Sequence, residues 1–121
     1  MSVFKLIIAG GREFNDYAKL SRELQNLSNN ELSAVEIELV SGMARGADAL
    51  GLVFAHEFHV AVHKFPANWD KYGKRAGFVR NEEMGRFADG LLAFWDGKSV
   101  GTKGMIDFMK SLGKSVRVIS Y

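Results

Sequence analysis

Val3-Phe4-Lys5-Leu6-Ile7-Ile8-Ala9-Gly10-Gly11-Arg12 is the stretch that decides the fold. A short apolar run, β-branched at Val3, Ile7 and Ile8, passes straight into a glycine pair. Such a run, bounded by a turn signal, reads as a strand buried on both faces. The pattern recurs downstream. Glu36 to Val40 ends at Ser41-Gly42, and Gly90 to Trp95, the most apolar run, ends at Asp96-Gly97. Val60 to Phe65 and Val116 to Ile119 complete the predicted strands.

Helical spacing fills the intervals. Tyr17, Leu20, Leu24 and Leu27 follow a cap at Asn15 or Asp16, and Ser28-Asn29-Asn30 is a stop. Ala47, Leu50, Gly51, Phe54, Ala55 and Phe58 share a helix face. A third helix spans about Gly77 to Phe87. Met105, Ile106, Met109 and Leu112 mark the last, which Gly113 ends. Pro66 to Ala76 reads as a polar loop holding Trp69 and Tyr72. Strict β/α alternation implies a parallel sheet covered on both faces, a Rossmann-like three-layer α/β/α fold. With right-handed crossovers, order 3-2-1-4-5 is the first expectation and 2-1-3-4-5 the second.

The composition fits one domain over residues 1–121. The chain is 47% hydrophobic and 25% charged, an ordinary globular balance. Sixteen Lys and Arg against fourteen Asp and Glu leave a formal charge of +2, too small to indicate nucleic-acid binding by itself. The chain has no cysteine, which excludes disulfides and thiolate metal sites. No apolar run approaches a membrane span, and Met1 to Lys5 does not resemble a secretion signal. The expectation is a cytoplasmic protein without a membrane partner.

In open α/β sheets the ligand lies beyond the carboxyl ends of the strands, where the strand order reverses. For order 3-2-1-4-5 the loops there are Gly10-Gly11-Arg12 and Asp96 to Thr102, with Ser41 to Gly46 adjacent. Each carries glycine and a cation and leads into a helix, an arrangement suited to phosphate. Named phosphate motifs are absent. Leu92 stands where a Walker A loop needs glycine, and Gly10 to Asn15 is not G-x-G-x-x-G. His56, His59 and His63 lack metal-site spacing, so neither metal nor cofactor is expected. No G-x-S-x-G elbow supports serine hydrolase chemistry.

Taken together, Gly10-Gly11-Arg12-x-Phe14-x-Asp16, Ser41-Gly42-x-Ala44-Arg45-Gly46-Ala47-Asp48, Arg80-Asn81-x-x-Met84, Ala88-Asp89 and Gly101-Thr102-Lys103 resemble the SLOG superfamily. Ala67-Asn68-Trp69-Asp70-Lys71-Tyr72-Gly73-Lys74-Arg75-Ala76-Gly77 is similar to its small YspA, or cpYpsA-related, branch. The resemblance implies a Rossmann-like domain that binds a nucleotide or nucleotide-derived small molecule. It reaches the "lonely guy" phosphoribohydrolases through Arg80 and Met84, and makes Arg80 the candidate catalytic residue. Their Gly-Thr turn matches Gly101-Thr102, but their catalytic Glu position holds Met105. A carboxylate beside the ribose stabilises an oxocarbenium-like state, and a thioether cannot. Asp96, Asp70 or Glu83 would have to replace it. The DNA-processing protein A branch, similar at Ala44-Arg45-Gly46 and Arg80-Asn81, implies single-stranded DNA instead, with Lys71, Lys74 and Arg75 beside Trp69 and Tyr72.

The expected ligand and phosphate contacts are Gly10, Gly11, Arg12, Ser41, Gly42, Arg45, Gly46, Asp96, Ser99, Gly101, Thr102 and Lys103. Trp69 and Tyr72 are the base-stacking candidates. Asp48 has two readings, a part of the site or, first, a carboxylate compensating its helix dipole, and Asp89 reads as a turn residue before the fourth strand. A homodimer through Phe54, Phe58 and Phe108 is a further expectation.

Overall fold

The structure, a computed structural model, describes residues 2–121. The chain runs β1 (Val3–Gly10), α1 (Tyr17–Asn29), β2 (Glu36–Ser41), α2 (Ala47–Phe58) and β3 (Val62–Lys64). It continues through α3 (Trp69–Tyr72), α4 (Ala76–Phe87), β4 (Gly90–Trp95), α5 (Val100–Ser111) and β5 (Ser115–Ser120). The strands form one parallel sheet in the order β3-β2-β1-β4-β5. Leu6 to Gly10 pair with Gly90 to Phe94, so β1 and β4 lie side by side at the centre.

Apolar side chains on both sides of each central strand make this order stable. Leu6 and Ile8 join Leu20, Leu24 and Phe54 on the α1/α2 face. Ile7 points the other way, into Met84, Met105 and Met109 on the α4/α5 face. Ile7 is 0% exposed, and burying such a side chain is worth about 1.5–3 kcal/mol. Phe54 belongs to this core and Phe108 is half-buried, so Phe58 alone of the expected dimer trio lies at the surface.

Local chemistry sets the boundaries. The Asp16 side chain accepts from the Lys19 N–H and starts α1. Edge strand β3 is three residues long, shorter than the Val60–Phe65 run, although Leu39 N–H to Ala61 and Phe65 N–H to Ser41 carry its pairing one step further each way. The segment expected to be a loop contains a helical turn. Asn68 Oδ1 accepts from the Lys71 N–H and caps α3, and a 3₁₀ turn at Gly73–Arg75 feeds directly into α4. The Asp89 carboxylate accepts from the Lys5 N–H, tying the start of β1 to the turn before β4. Among the described residues no helix is long and apolar enough to cross a membrane.

Candidate functional site

The sheet order places the ends of β1 and β4 at the point where connections diverge to opposite sides. A groove opens there. It has two adjoining depressions of about 360 and 370 Å³ that share Arg12, Ala44 and Arg80. The first lies over β1 and β4, between Gly10-Gly11 and the start of α5. The second lies over β2, under Met43, Pro66, Ala67 and Trp69.

Backbone geometry brings the loops together. Gly46 has φ +82°, and a side chain there would run into the backbone of Gly11 and Arg12. Glycine therefore lets the β2–α2 loop close against the β1–α1 loop. Ser41 is 3% exposed, and its hydroxyl accepts from the Met43 N–H, fixing the turn from beneath. Ser41 and Gly46 thus shape the site without lining it.

Two arginines from different elements serve the groove. Arg80, on α4, donates from Nη1 to the Gly42 carbonyl and from Nε to Asn81 Oδ1. Desolvation lowers its pKa, and the nearby Asp48 carboxylate opposes that. Arg12 is exposed and makes no ion pair among the described residues. Arg45 instead bridges to Glu13 at 2.9 Å, a well-exposed pair.

The start of α5 supplies backbone donors. Asp96 Oδ1 accepts from the N–H groups of Ser99 and Lys98 at 2.9 and 2.8 Å, which hold its pKa below the usual carboxylate range. Ser99 caps the helix: its Oγ takes the Thr102 N–H and lies 3.1 Å from the Thr102 hydroxyl. Thr102 lines the groove but is buried, with its polar groups engaged by Ser99. The N–H groups of Val100 and Gly101, in the first helical turn, have no intrahelical partner. Open space surrounds the position a Gly101 side chain would occupy.

The remaining expected residues divide. Gly10, Gly11, Arg12, Gly42, Arg45, Asp96, Ser99, Gly101, Thr102, Arg80 and Trp69 line the groove. Lys103 pairs with Asp107 at 2.6 Å. Tyr72 lines a neighbouring depression with Glu83, and Lys71 Nζ sits 5.1 Å from its ring centre. Met105 lines the groove at 1% exposure, so the position that holds a Glu in the phosphoribohydrolases presents a thioether. Of the three carboxylates considered as replacements, Asp96 alone lines the groove.

Several lining residues were not among the expected contacts. Asp48 is 6% exposed and lies in the groove wall. Burial pushes its pKa up to about 6, against the pull of Arg80 and the backbone N–H groups of Ala44 and Gly42. Its place three residues after Arg45 was the available signal, obscured by the ordinary role of an acid in a first helical turn. Asn81 and Met84 follow from Arg80 by helical geometry. Tyr121 arrives from β5, its ring 4.8 Å from that of Phe14, and no local motif announced it.

The sequence model of the YspA, cpYpsA-related SLOG family matches residues 4–72, from β1 through α3. The Gene 61 protein of Mycobacterium phage D29 is 35% identical over 105 residues, which cover 82% of each chain. Among solved structures, DNA processing protein A (DprA) from Streptococcus pneumoniae superposes with a TM-score of 0.78 over 99% of this chain, at 15% identity. The chain spans 51% of that protein's length, and the likeness is one of fold.

Proposed function

The chain belongs to the YspA, cpYpsA-related SLOG family, and from that premise we propose that it binds a nucleotide or nucleotide-derived small molecule in the groove at the carboxyl edge of the sheet. One observation carries the reading. Arg12, Arg80 and the first N–H groups of α5 reach a single groove from three separate loops and helices, at the place where open α/β sheets hold ligands. In this reading they take a phosphate. Gly101, whose Cβ position is open, lets it approach the backbone, while Trp69 and Met43 offer apolar surface to a base.

A thermal screen of nucleoside monophosphates, dinucleotides and ADP-ribose derivatives tests this. At a hundred times its dissociation constant a ligand adds about 2.7 kcal/mol. For a domain of this size that raises the midpoint by roughly 10 °C. Some phosphate-bearing member should give the shift, and its matching nucleoside much less. Gly101→Val should abolish the shift and keep the fold, because Gly101 needs no positive φ and open space surrounds its Cβ position. Base release from the same monophosphates should stay at background, since Met105 cannot replace the carboxylate.

A second reading, single-stranded DNA, is favoured by the exposed side of Trp69 and the segment that follows it. Trp69 and Phe78 are 54% and 57% exposed and lie among exposed Lys71, Lys74 and Arg75. Stacking aromatics interleaved with cations suit single strands. The structural relative from Streptococcus pneumoniae is named as a DNA-processing protein. In that case short oligonucleotides, not mononucleotides, would shift the midpoint in a salt-sensitive way. Substituting Lys74 and Arg75 would then matter more than substituting Gly101.

A further inference from the structure

We propose that an oxyanion enters the groove together with one proton, and that Asp48 is the group that receives the proton. The inference rests on the anion-binding reading of the same groove and adds a group to it that the phosphate argument did not use.

The geometry begins at Gly42. A Cβ added there would lie 2.8 Å from Arg80 Nη1 and 2.9 Å from Asp48 Oδ2, so the two side chains flank one glycine. They attract each other through space, but no direct ion pair joins them. Arg80 spends Nη1 on the Gly42 carbonyl and Nε on Asn81. Its Nη2 has no hydrogen-bond partner among the described residues and is left for a ligand. Asp48 is therefore a carboxyl 6% exposed, without a salt bridge, in the wall of a groove where Arg12 and Arg80 Nη2 are available to an anion.

An oxyanion on Arg12 and Arg80 changes that balance twice. It neutralises Arg80, the cation that favours the Asp48 carboxylate. It also brings negative charge close to a buried carboxyl, which disfavours ionisation further. Burial already pushes Asp48 up to about 6. Near neutral pH the free carboxyl is mostly ionised; an upward move of about one pH unit leaves it about half protonated at about pH 7, and a larger one mostly protonated.

The other acids facing the groove are poor receivers. Asp96, from the β4–α5 loop, is held ionised by two backbone N–H groups. Glu13, from the β1–α1 loop, is exposed and paired with Arg45. Tyr121, from the end of β5, has its pKa raised further by burial and by Asp96. His56, His59 and His63 line neither depression of the groove.

Sulfate is the probe, because it keeps a constant charge through the neutral range and any proton taken up belongs to the protein. The Asp48 carboxyl carbon is followed by ¹³C NMR from pH 4 to 8.5, in sodium sulfate and in sodium chloride of equal ionic strength. Its midpoint should stand near 6 in chloride and rise by about one pH unit or more in saturating sulfate. Wild-type affinity for sulfate should fall by up to about tenfold per pH unit between the two midpoints. The affinity of Asp48→Asn should stay nearly flat over that range. Sulfate that binds without moving the Asp48 midpoint, or equal pH profiles for wild type and Asp48→Asn, overturns this inference and leaves anion binding intact. Failure of sulfate to perturb the amides of Gly11, Val100 and Gly101 at any pH overturns both. The wild-type titration decides the matter even if the variant does not fold.

Discussion

Asp48 shows how one side chain can carry a cost that its surroundings only partly offset. Its carboxyl is pushed up to about 6 by burial, whereas an aspartate in the unfolded chain titrates near 3.9. A raised folded-state pKa means that the folded protein holds its proton more tightly. The corresponding stability is complete below about pH 4 and is lost as pH rises through about 6. The difference amounts to about 3 kcal/mol at pH 7. Asp48→Asn should therefore unfold at higher urea concentration than wild type at pH 7, and the advantage should vanish by pH 4. Equal urea midpoints at pH 7 would show that Asp48 ionises in the folded protein at no cost. The sequence placed Asp48 correctly in a first helical turn but did not reveal its environment. Burial depends on Gly42 and on Arg80, which lies thirty-two residues further along the chain. Arg80 was legible because its own local spacing, Arg-Asn-x-x-Met, carries a family pattern.

At the scale of elements, caps explain both what could be read and what could not. Asp16 caps α1, as its position before the periodic leucines implied. Gly113, with φ +70°, follows the end of α5 in the left-handed conformation that glycine adopts without strain. The helical turn of α3 was hidden because a single turn has too few residues to show periodicity, and only Asn68 marked it. No sequence rule pointed to Lys114. Its ammonium donates to the carbonyls of Gly85, Arg86 and Ala88 at 2.8, 3.0 and 2.7 Å, closing the carboxyl end of α4 from the start of β5. A cation there meets both the unpaired carbonyls and the negative end of the helix dipole. Lys114→Met keeps most of the aliphatic stem and removes the charge. It should cost about 2–3 kcal/mol in chemical denaturation. A loss below about 0.5 kcal/mol would mean that water satisfies those carbonyls equally well.

For the whole molecule, apolarity and right-handed crossovers made 3-2-1-4-5 the first expectation, and the sheet has that order. β1 and β4 carry the most continuous apolar runs and take the centre, and the order reverses between them. That choice fixed where a groove must open before any contact was known. The shape of the groove was less legible, because it depends on meetings between distant parts of the chain: Tyr121 with Phe14, Gly46 with Gly11, and Asp48 with Arg80. The central claim is that this groove takes a phosphate-bearing nucleotide ligand. Amide chemical shifts from ¹⁵N-labelled protein titrated with the ligand that gives the largest thermal shift test it most directly. The account predicts saturable changes centred on Gly11, Arg12, Gly42, Val100 and Gly101, absent with the matching nucleoside and absent in Gly101→Val. Changes confined to Lys71 through Phe78, produced by single-stranded DNA and not by any nucleotide, would contradict it.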